Sequence, residues 1–312
     1  MSLISEHDSF IHEAFLYSND QEFFDRTVPF INDGVAAGDA IMVVLTRGRI
    51  DSLRSMVSSS HETVQFQDMA EVGLNPGRII SAWVRFVTAS LTEGRRMRGI
   101  GEPIWSGRSD AEILECQRHE ALLNVAFEST PGFTLMCPYD RSSLDDEVVA
   151  LAGRTHPTTV EDGRRSLLSL DYEGPGFDPF TGDLPEPSGA VEEFVLAGMS
   201  LDRVRRLVAD HAAAAGLDSK RSDDLVVAVN EAVTNTVRHA DGIGVLRLWR
   251  DGDSVICDVV DHGWIHDPLA GRLPVTTTET AGRGLWLIHQ LCDLVQVRSS
   301  ETSTMVRMHM HR

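Results

Sequence analysis

Cysteine is scarce in this chain of 312 residues. There are four, Cys116, Cys137, Cys257 and Cys292, and no two form a Cys-x-x-Cys pair. That scatter argues against a disulfide framework or a zinc site and fits a reducing compartment. No apolar run reaches the roughly 18 residues of a membrane span. The N-terminus, Met-Ser-Leu-Ile-Ser-Glu-His-Asp, lacks the basic start and apolar core of a signal peptide, so a cytoplasmic location is expected. Basic residues are few: 28 Lys and Arg stand against 47 Asp and Glu, a net charge of -19. Such a balance disfavours a nucleic-acid backbone or an anionic membrane as direct partner. Any effect on transcription is expected to run through another protein. A Gly-x-x-x-x-Gly-Lys-Ser/Thr loop is missing too. The first strand-to-helix turn, residues 16–20, contains no glycine, which excludes a phosphate cradle there.

What is present divides the chain in two. Composition is that of a soluble globular protein, 42% hydrophobic and 24% charged, and the length accommodates two domains. In the first half, strand patterns over 12–17, 39–46, 63–67, 100–105 and 133–139 alternate with helix patterns over 21–33, 49–59, 77–93 and 110–129. Alternation of this kind predicts an α/β domain with a mainly parallel sheet. Residues 158–189 are rich in Pro, Gly and acidic side chains and read as a linker, part of it packed on a domain surface through Leu167, Leu168, Leu170 and Tyr172. Beyond it the order is strand, helix, helix, strand, strand, long loop, helix, strand, strand, an α+β sandwich.

The second half holds the clearest chemistry. A helix over 223–240, capped by Ser222, stacks Glu231, Asn235 and His239 on one face, each four residues from the next. A carboxylate, an amide and an imidazole so aligned suit a metal–phosphate site. Asp261 follows the second strand of a hairpin, with Gly263 beside it. A carboxylate there can accept from an exocyclic amine. Gly282-Arg283-Gly284-Leu285 opens a further helix, where free N–H groups and the positive helix end suit phosphate.

Two resemblances follow from these residues. Gly101-Glu102-Pro-Ile-Trp105, Glu120-x-x-x-Asn124, Cys137-Pro-Tyr139-Asp140 and His156-Pro157 resemble the MEDS sensory domain over about residues 7–157. The resemblance implies a P-loop-like core without the Walker motif. It makes Glu102, Trp105, Glu120, Asn124, Cys137, Tyr139, Asp140 and His156 candidates for a sensory pocket, against the alternative that they are buried groups tying loops down. Glu231-Ala-x-x-Asn235-x-x-x-His239, Asp261-x-Gly263 and Gly282-x-Gly284 resemble the Bergerat (GHKL) fold of RsbW-like anti-sigma-factor serine kinases over about residues 190–312. This implies ATP and Mg²⁺ as cofactors, with Asn235 as the Mg²⁺ ligand, Glu231 as catalytic base and His239 in support. Asp261, Gly263 and Thr304 would meet the adenine, and Gly282, Arg283, Gly284 and Leu285 the phosphates. The pairing of the two domains is similar to actinobacterial RsbA-type regulators.

The domains are therefore expected at 1–157, 158–189 (linker) and 190–312. The implied function is a sensory anti-sigma regulator. It would hold a sigma factor and phosphorylate a serine of an anti-anti-sigma (STAS) partner, in answer to a small-molecule or protein signal. A homodimer is implied by the resemblance alone. One departure stands out: Ile265 replaces the second glycine of the Asp-x-Gly-x-Gly box. Isoleucine does not take positive φ without strain, so the loop is expected to follow another path. This leaves open a nucleotide-binding module that acts by protein contact only. A third alternative, a soluble histidine kinase using His119 of Arg118-His119-Glu120, conflicts with the position of that motif between two strands of another domain.

Overall fold

The computed structural model describes residues 9–57, 63–161, 167–178, 182–187, 189–275 and 282–312. The chain separates into two compact units, residues 1–180 and 181–312.

The first unit opens with β1 (Ile11–Tyr17), α1 (Asp20–Ala37), β2 (Ala40–Leu45), α2 (Arg47–Met56), β3 (Val64–Asp68) and a single turn, α3 (Met69–Val72). A 3₁₀ turn, Pro76–Arg78, leads into α4 (Ile79–Thr92). β4 (Met97–Gly101), α5 (Asp110–Phe127), β5 (Phe133–Asp140), α6 (Asp146–Thr155), β6 (Thr158–Glu161) and β7 (Leu167–Leu168) follow. The strands form a sheet in the order β3-β2-β4-β5-β1-β6-β7. All pairings except β6 with β7 are parallel.

Local chemistry explains the helix ends. Asn19 accepts from the Glu22 amide at the start of α1, and Gly38 closes that helix at φ 79°. Ser109 and Glu112 form a reciprocal capping box on α5. β2, Ala-Ile-Met-Val-Val-Leu, is buried along its whole length, as a central parallel strand must be. The fourth strand starts three residues earlier than the sequence pattern indicates, and α6 and β6 were not expected. β6 pairs with β1, so residues 158–161 of the expected linker belong to the sheet.

The second unit comprises β8 (Glu192–Val195), α7 (Leu201–Ala215), α8 (Ser219–His239), β9 (Gly244–Asp251), β10 (Ser254–Asp261), α9 (Arg283–Leu291), β11 (Leu294–Ser299) and β12 (Thr304–His311). Its sheet runs β11-β12-β10-β9-β8, antiparallel throughout. One face packs on the three helices through Val204, Val208, Leu225, Val229, Leu246, Cys257, Ile288 and Met308. The architecture is the GHKL-type α+β sandwich. α8 begins one turn earlier than expected, because the side chain of Asp218, not Ser222, accepts from the Arg221 amide.

The sheet's outer face carries an ion cluster. Asp258 on β10 lies directly opposite Arg247 on β9 and Arg307 on β12. Arg307 donates Nε to Oδ1 at 2.8 Å and Nη2 to Oδ2 at 3.0 Å, while Arg247 Nη2 reaches Oδ2 at 2.6 Å. Residues 182–187 lie over this cluster. Leu184 is buried, Pro185 accepts from Arg307, and Glu186 accepts from Arg247. Part of the Pro/Gly/acidic segment is thus seated on a domain surface, though not through the leucines expected, since Leu168 and Leu170 are exposed.

Candidate functional sites

The second unit contains a cleft of about 1090 Å³ between α8, α9 and the ends of β10 and β12. Every nucleotide-site residue picked out in the sequence lines it: Glu231, Asn235, His239, Asp261, Gly263, Gly282, Arg283, Gly284, Leu285 and Thr304. The inner side of α8, with Leu225, Val229 and Val233, is buried, so Glu231 and Asn235 are held at the cleft edge by packing beneath them.

α9 meets them end-on. A Cβ added at Gly284 would lie 3.0 Å from Glu231 Oε2 and 3.4 Å from both polar atoms of the Asn235 amide. Glycine here lets the backbone N–H groups of the first turn come up to the carboxylate and amide. Gly282 caps the helix at φ 80° with no side-chain cap hydrogen bond, and the positive end of the helix faces the cleft, a setting that suits an anion.

Across the cleft Asp261 is fixed twice. Thr236 Oγ1 donates to Oδ2 at 2.6 Å, and the Gly263 amide donates to Oδ1 at 2.8 Å. Thr304 Oγ1 donates to the Gly263 carbonyl at 2.8 Å. The loop does take its own path at Ile265. The Ile265 amide donates to Ser299 Oγ at 2.8 Å, and its side chain packs on the core. Asp241 is the one non-glycine residue at positive φ among the described residues, so Ile265 is unstrained. Thr236 and Ser299 were not picked out in the sequence. The signals were available: Thr236 adjoins Asn235 on the buried side of α8, and Ser299 faces Thr304 across the closing hairpin.

The sensory candidates of the first unit fall into two groups. Glu120, Asn124, Cys137 and His156 come together with His12, which sequence reasoning missed. His12 Nδ1 lies 3.0 Å from Asn124 Oδ1, and its Nε2 lies 3.1 Å from Glu120 Oε2 and 3.4 Å from Cys137 Sγ. His156 Nε2 is 3.4 Å from the same Glu120 oxygen. Tyr139 packs edge-on against the His156 ring at 5.6 Å. Burial, together with His156 alongside, lowers the His12 pKa to about 4. Burial also raises the Cys137 thiol well above its ordinary range.

Glu102 and Asp140 belong to a second group, with Tyr17 and Arg49, at the carboxyl ends of the strands. Open α/β sheets bind ligands in that region. Tyr17 donates to Glu102 at 2.6 Å, and Arg49 reaches Tyr17 at 3.0 Å and Asp20 at 2.7 Å. Burial raises the Glu102 pKa to about 7 against the lowering effects of Tyr17 and Arg49. Asp140 is engaged by Ser142, and Trp105 lies under the Arg108 guanidinium at 4.0 Å. His119, the alternative phosphoacceptor, is buried on α5. A phosphoryl group could reach it only if that helix opened.

A five-stranded antiparallel sheet backed by helices, with a carboxylate–amide helix facing a glycine-opened helix N-terminus, defines a nucleotide-binding module of the GHKL type. Comparison with known families agrees. Residues 196–310 match the histidine kinase-like ATPase domain, and residues 11–157 match MEDS, the methanogen/methylotroph DcmR sensory domain. The chain is a MEDS domain fused to a histidine kinase-like ATPase domain, and the cleft lies within the latter. No curated protein matches it. Among solved structures, the RsbU and RsbW domains of Rv1364c from Mycobacterium tuberculosis align at 20% identity and a TM-score of 0.31, over 39% of this chain and 32% of that one. The histidine kinase AdeS of Acinetobacter baumannii aligns at 13% identity and a TM-score of 0.23, over 39% of this chain and 67% of that one. The chain thus spans about a third of the length of the first of these. No described helix is long and apolar enough to cross a membrane.

Proposed function

We propose that this protein is a cytoplasmic sensory anti-sigma regulator. Its MEDS unit receives a signal. Its ATPase unit binds Mg·ATP, holds a sigma factor and phosphorylates a serine of an anti-anti-sigma STAS partner. The observation that carries the reading is the approach of Glu231 and Asn235 to the N-terminus of α9 at Gly284.

In this reading the Asn235 amide oxygen is the Mg²⁺ ligand, and the ion supplies charge neutralisation between the phosphates. The amides of Arg283, Gly284 and Leu285 hold phosphate oxygens at the positive helix end. Asp261, already oriented by Thr236 and Gly263, accepts from the adenine amine. Glu231 takes the proton from the partner's serine as its oxygen attacks phosphorus and ADP leaves. His239 is exposed at the end of α8 and supports the phosphate side. A homodimeric ATPase unit belongs to the same proposal.

Incubation of the full chain with γ-labelled ATP, Mg²⁺ and the cognate STAS protein should label a serine on the partner. Glu231→Ala should stop transfer while ATP still binds, and Asn235→Ala should weaken ATP binding and slow transfer by at least about a hundredfold, the loss expected of a group that stabilises charge on the phosphates. An unlabelled partner with the wild-type chain removes the kinase claim. One observation favours a second reading, regulation by protein contact alone: Ile265 stands where the family box has glycine and turns into the core. In that case Asn235→Ala leaves partner binding unchanged and no ATP affinity is measurable.

A further inference from the structure

The cluster around Glu120 poses a problem of protons. Its members come from β1 (His12), α5 (Glu120, Asn124), β5 (Cys137) and the residue closing α6 (His156), and all are 5% exposed or less. His12 and Cys137 share a sheet face because Ala14 lies opposite Cys137 in the β1–β5 register, and His12 is two residues from Ala14.

The hydrogen bonds around the cluster assign both imidazole tautomers. Asn124 Nδ2 donates to the Thr155 carbonyl at 2.7 Å, so its Oδ1 must face His12. The His12 Nδ1 at 3.0 Å from that oxygen therefore carries the hydrogen. His156 Nδ1 lies 2.9 Å from the Ala152 carbonyl, a pure acceptor, and carries its hydrogen as well. Each neutral ring then points a bare Nε2 lone pair inward. They face Glu120 Oε2 at 3.1 and 3.4 Å, and Cys137 Sγ stands 3.4 Å from His12 Nε2. His156 Nε2 and Glu120 Oε1 have no hydrogen-bond partner despite full burial. Lone pairs converging in a dry interior call for a shared proton or a shared metal cation, and the Cys137 thiol proton is the one a metal would displace.

We propose that His12, Glu120, Cys137 and His156 form a closed site for a divalent transition metal of the zinc class. The four ligand atoms all lie within 4.8 Å of one another. Bonds of about 2.0–2.3 Å in a tetrahedron put ligand atoms roughly 3.3–3.8 Å apart, the range in which two of the three measured edges fall. Nitrogen and sulfur donors select against Mg²⁺ and Ca²⁺. The Nδ1–H bonds to Asn124 and Ala152 are the outer hydrogen bonds that orient metal-binding imidazoles. Four protein ligands and near-zero exposure leave no open coordination position, so the metal ties β1, α5, β5 and α6 together and does no chemistry on a substrate. Scattered cysteines argue against zinc only where the ligands come in local pairs. Here the sheet assembles them from distant strands. The proposal stands apart from the kinase reading, since it concerns the other unit.

The full chain, produced in zinc-supplemented medium, should carry about one equivalent of zinc. Produced with Co²⁺ instead, it should show tetrahedral cobalt bands in the visible and a thiolate-to-cobalt charge-transfer band in the near ultraviolet. Cys137→Ser should abolish the charge-transfer band, and Asn235→Ala in the other unit should leave the zinc or cobalt content unchanged. Wild-type protein without stoichiometric zinc or cobalt, or a cobalt spectrum without the thiolate band, overturns the proposal. If Cys137→Ser does not fold, the wild-type spectrum decides alone.

Discussion

Glu120 and Asp258 are both buried carboxylates at the centre of a polar cluster, one in each unit, and each is 0% exposed. Their surroundings differ in one respect. Asp258 is met by two guanidiniums that bring permanent positive charge and a fork of donors. Glu120 is met by two imidazoles whose hydrogens are committed elsewhere. The Asp258 cluster holds its own counter-charge and is a structural clamp on the outer face of its sheet. The Glu120 cluster has donors of electron pairs on every side, and its composition is that of a ligand set. Burial of a carboxylate is thus no guide to its role until the protons around it are assigned.

The sharpest way to break this comparison is Asp258→Ala, which should strand two cations on the sheet face. The expected loss is about 3–5 kcal/mol, seen as a lower denaturation midpoint of the ATPase unit. An unchanged midpoint would mean that water compensates Arg247 and Arg307. A third buried carboxylate refines the contrast, because Glu102 has only one guanidinium nearby and the hydroxyl of Tyr17. Its pKa is raised from 4.5 to about 7, so the folded state keeps a proton that the unfolded state has lost. That contribution is complete below pH 4.5 and disappears as pH rises through about 7. It amounts to about 3 kcal/mol across the window. Glu102→Gln should flatten this part of the stability–pH curve in equilibrium unfolding. The smallest effect belongs to an exposed carboxylate. Asp218→Ala removes the N-cap of α8 and should cost about 1 kcal/mol, read as a small shift in thermal midpoint.

The candidate nucleotide cleft was legible in the sequence for a physical reason. Glu231, Asn235 and His239 repeat at helical spacing on one element, and glycines mark both facing turns, so local rules suffice. The register of α8 was less legible, since Asp218 and Ser222 are both acceptable caps. The first unit shows the limit. Its early strands announce themselves by apolar runs such as 40–45. β6, Thr-Thr-Val-Glu, is short and polar and follows Pro157, and nothing local separates it from a linker. The sensory candidates stand out in the sequence as polar residues beside apolar strands. Their division into one group with His12 and another with Tyr17 and Arg49 depends on which strands lie side by side. No periodicity encodes that.

The place of β1 has a consequence for the order in which the protein is made. It lies between β5 and β6, where Ile11 faces Thr134 and Glu13 faces Thr158. A strand made well before its neighbours is therefore among the last of this sheet to be paired. Until residues 133–161 emerge, an apolar segment with open hydrogen-bonding edges must wait unpaired. Long-range closure of this kind makes folding slow. The first unit consequently closes only through long-range pairing, while the sheet of the ATPase unit joins β9 to β10 and β11 to β12 as local hairpins.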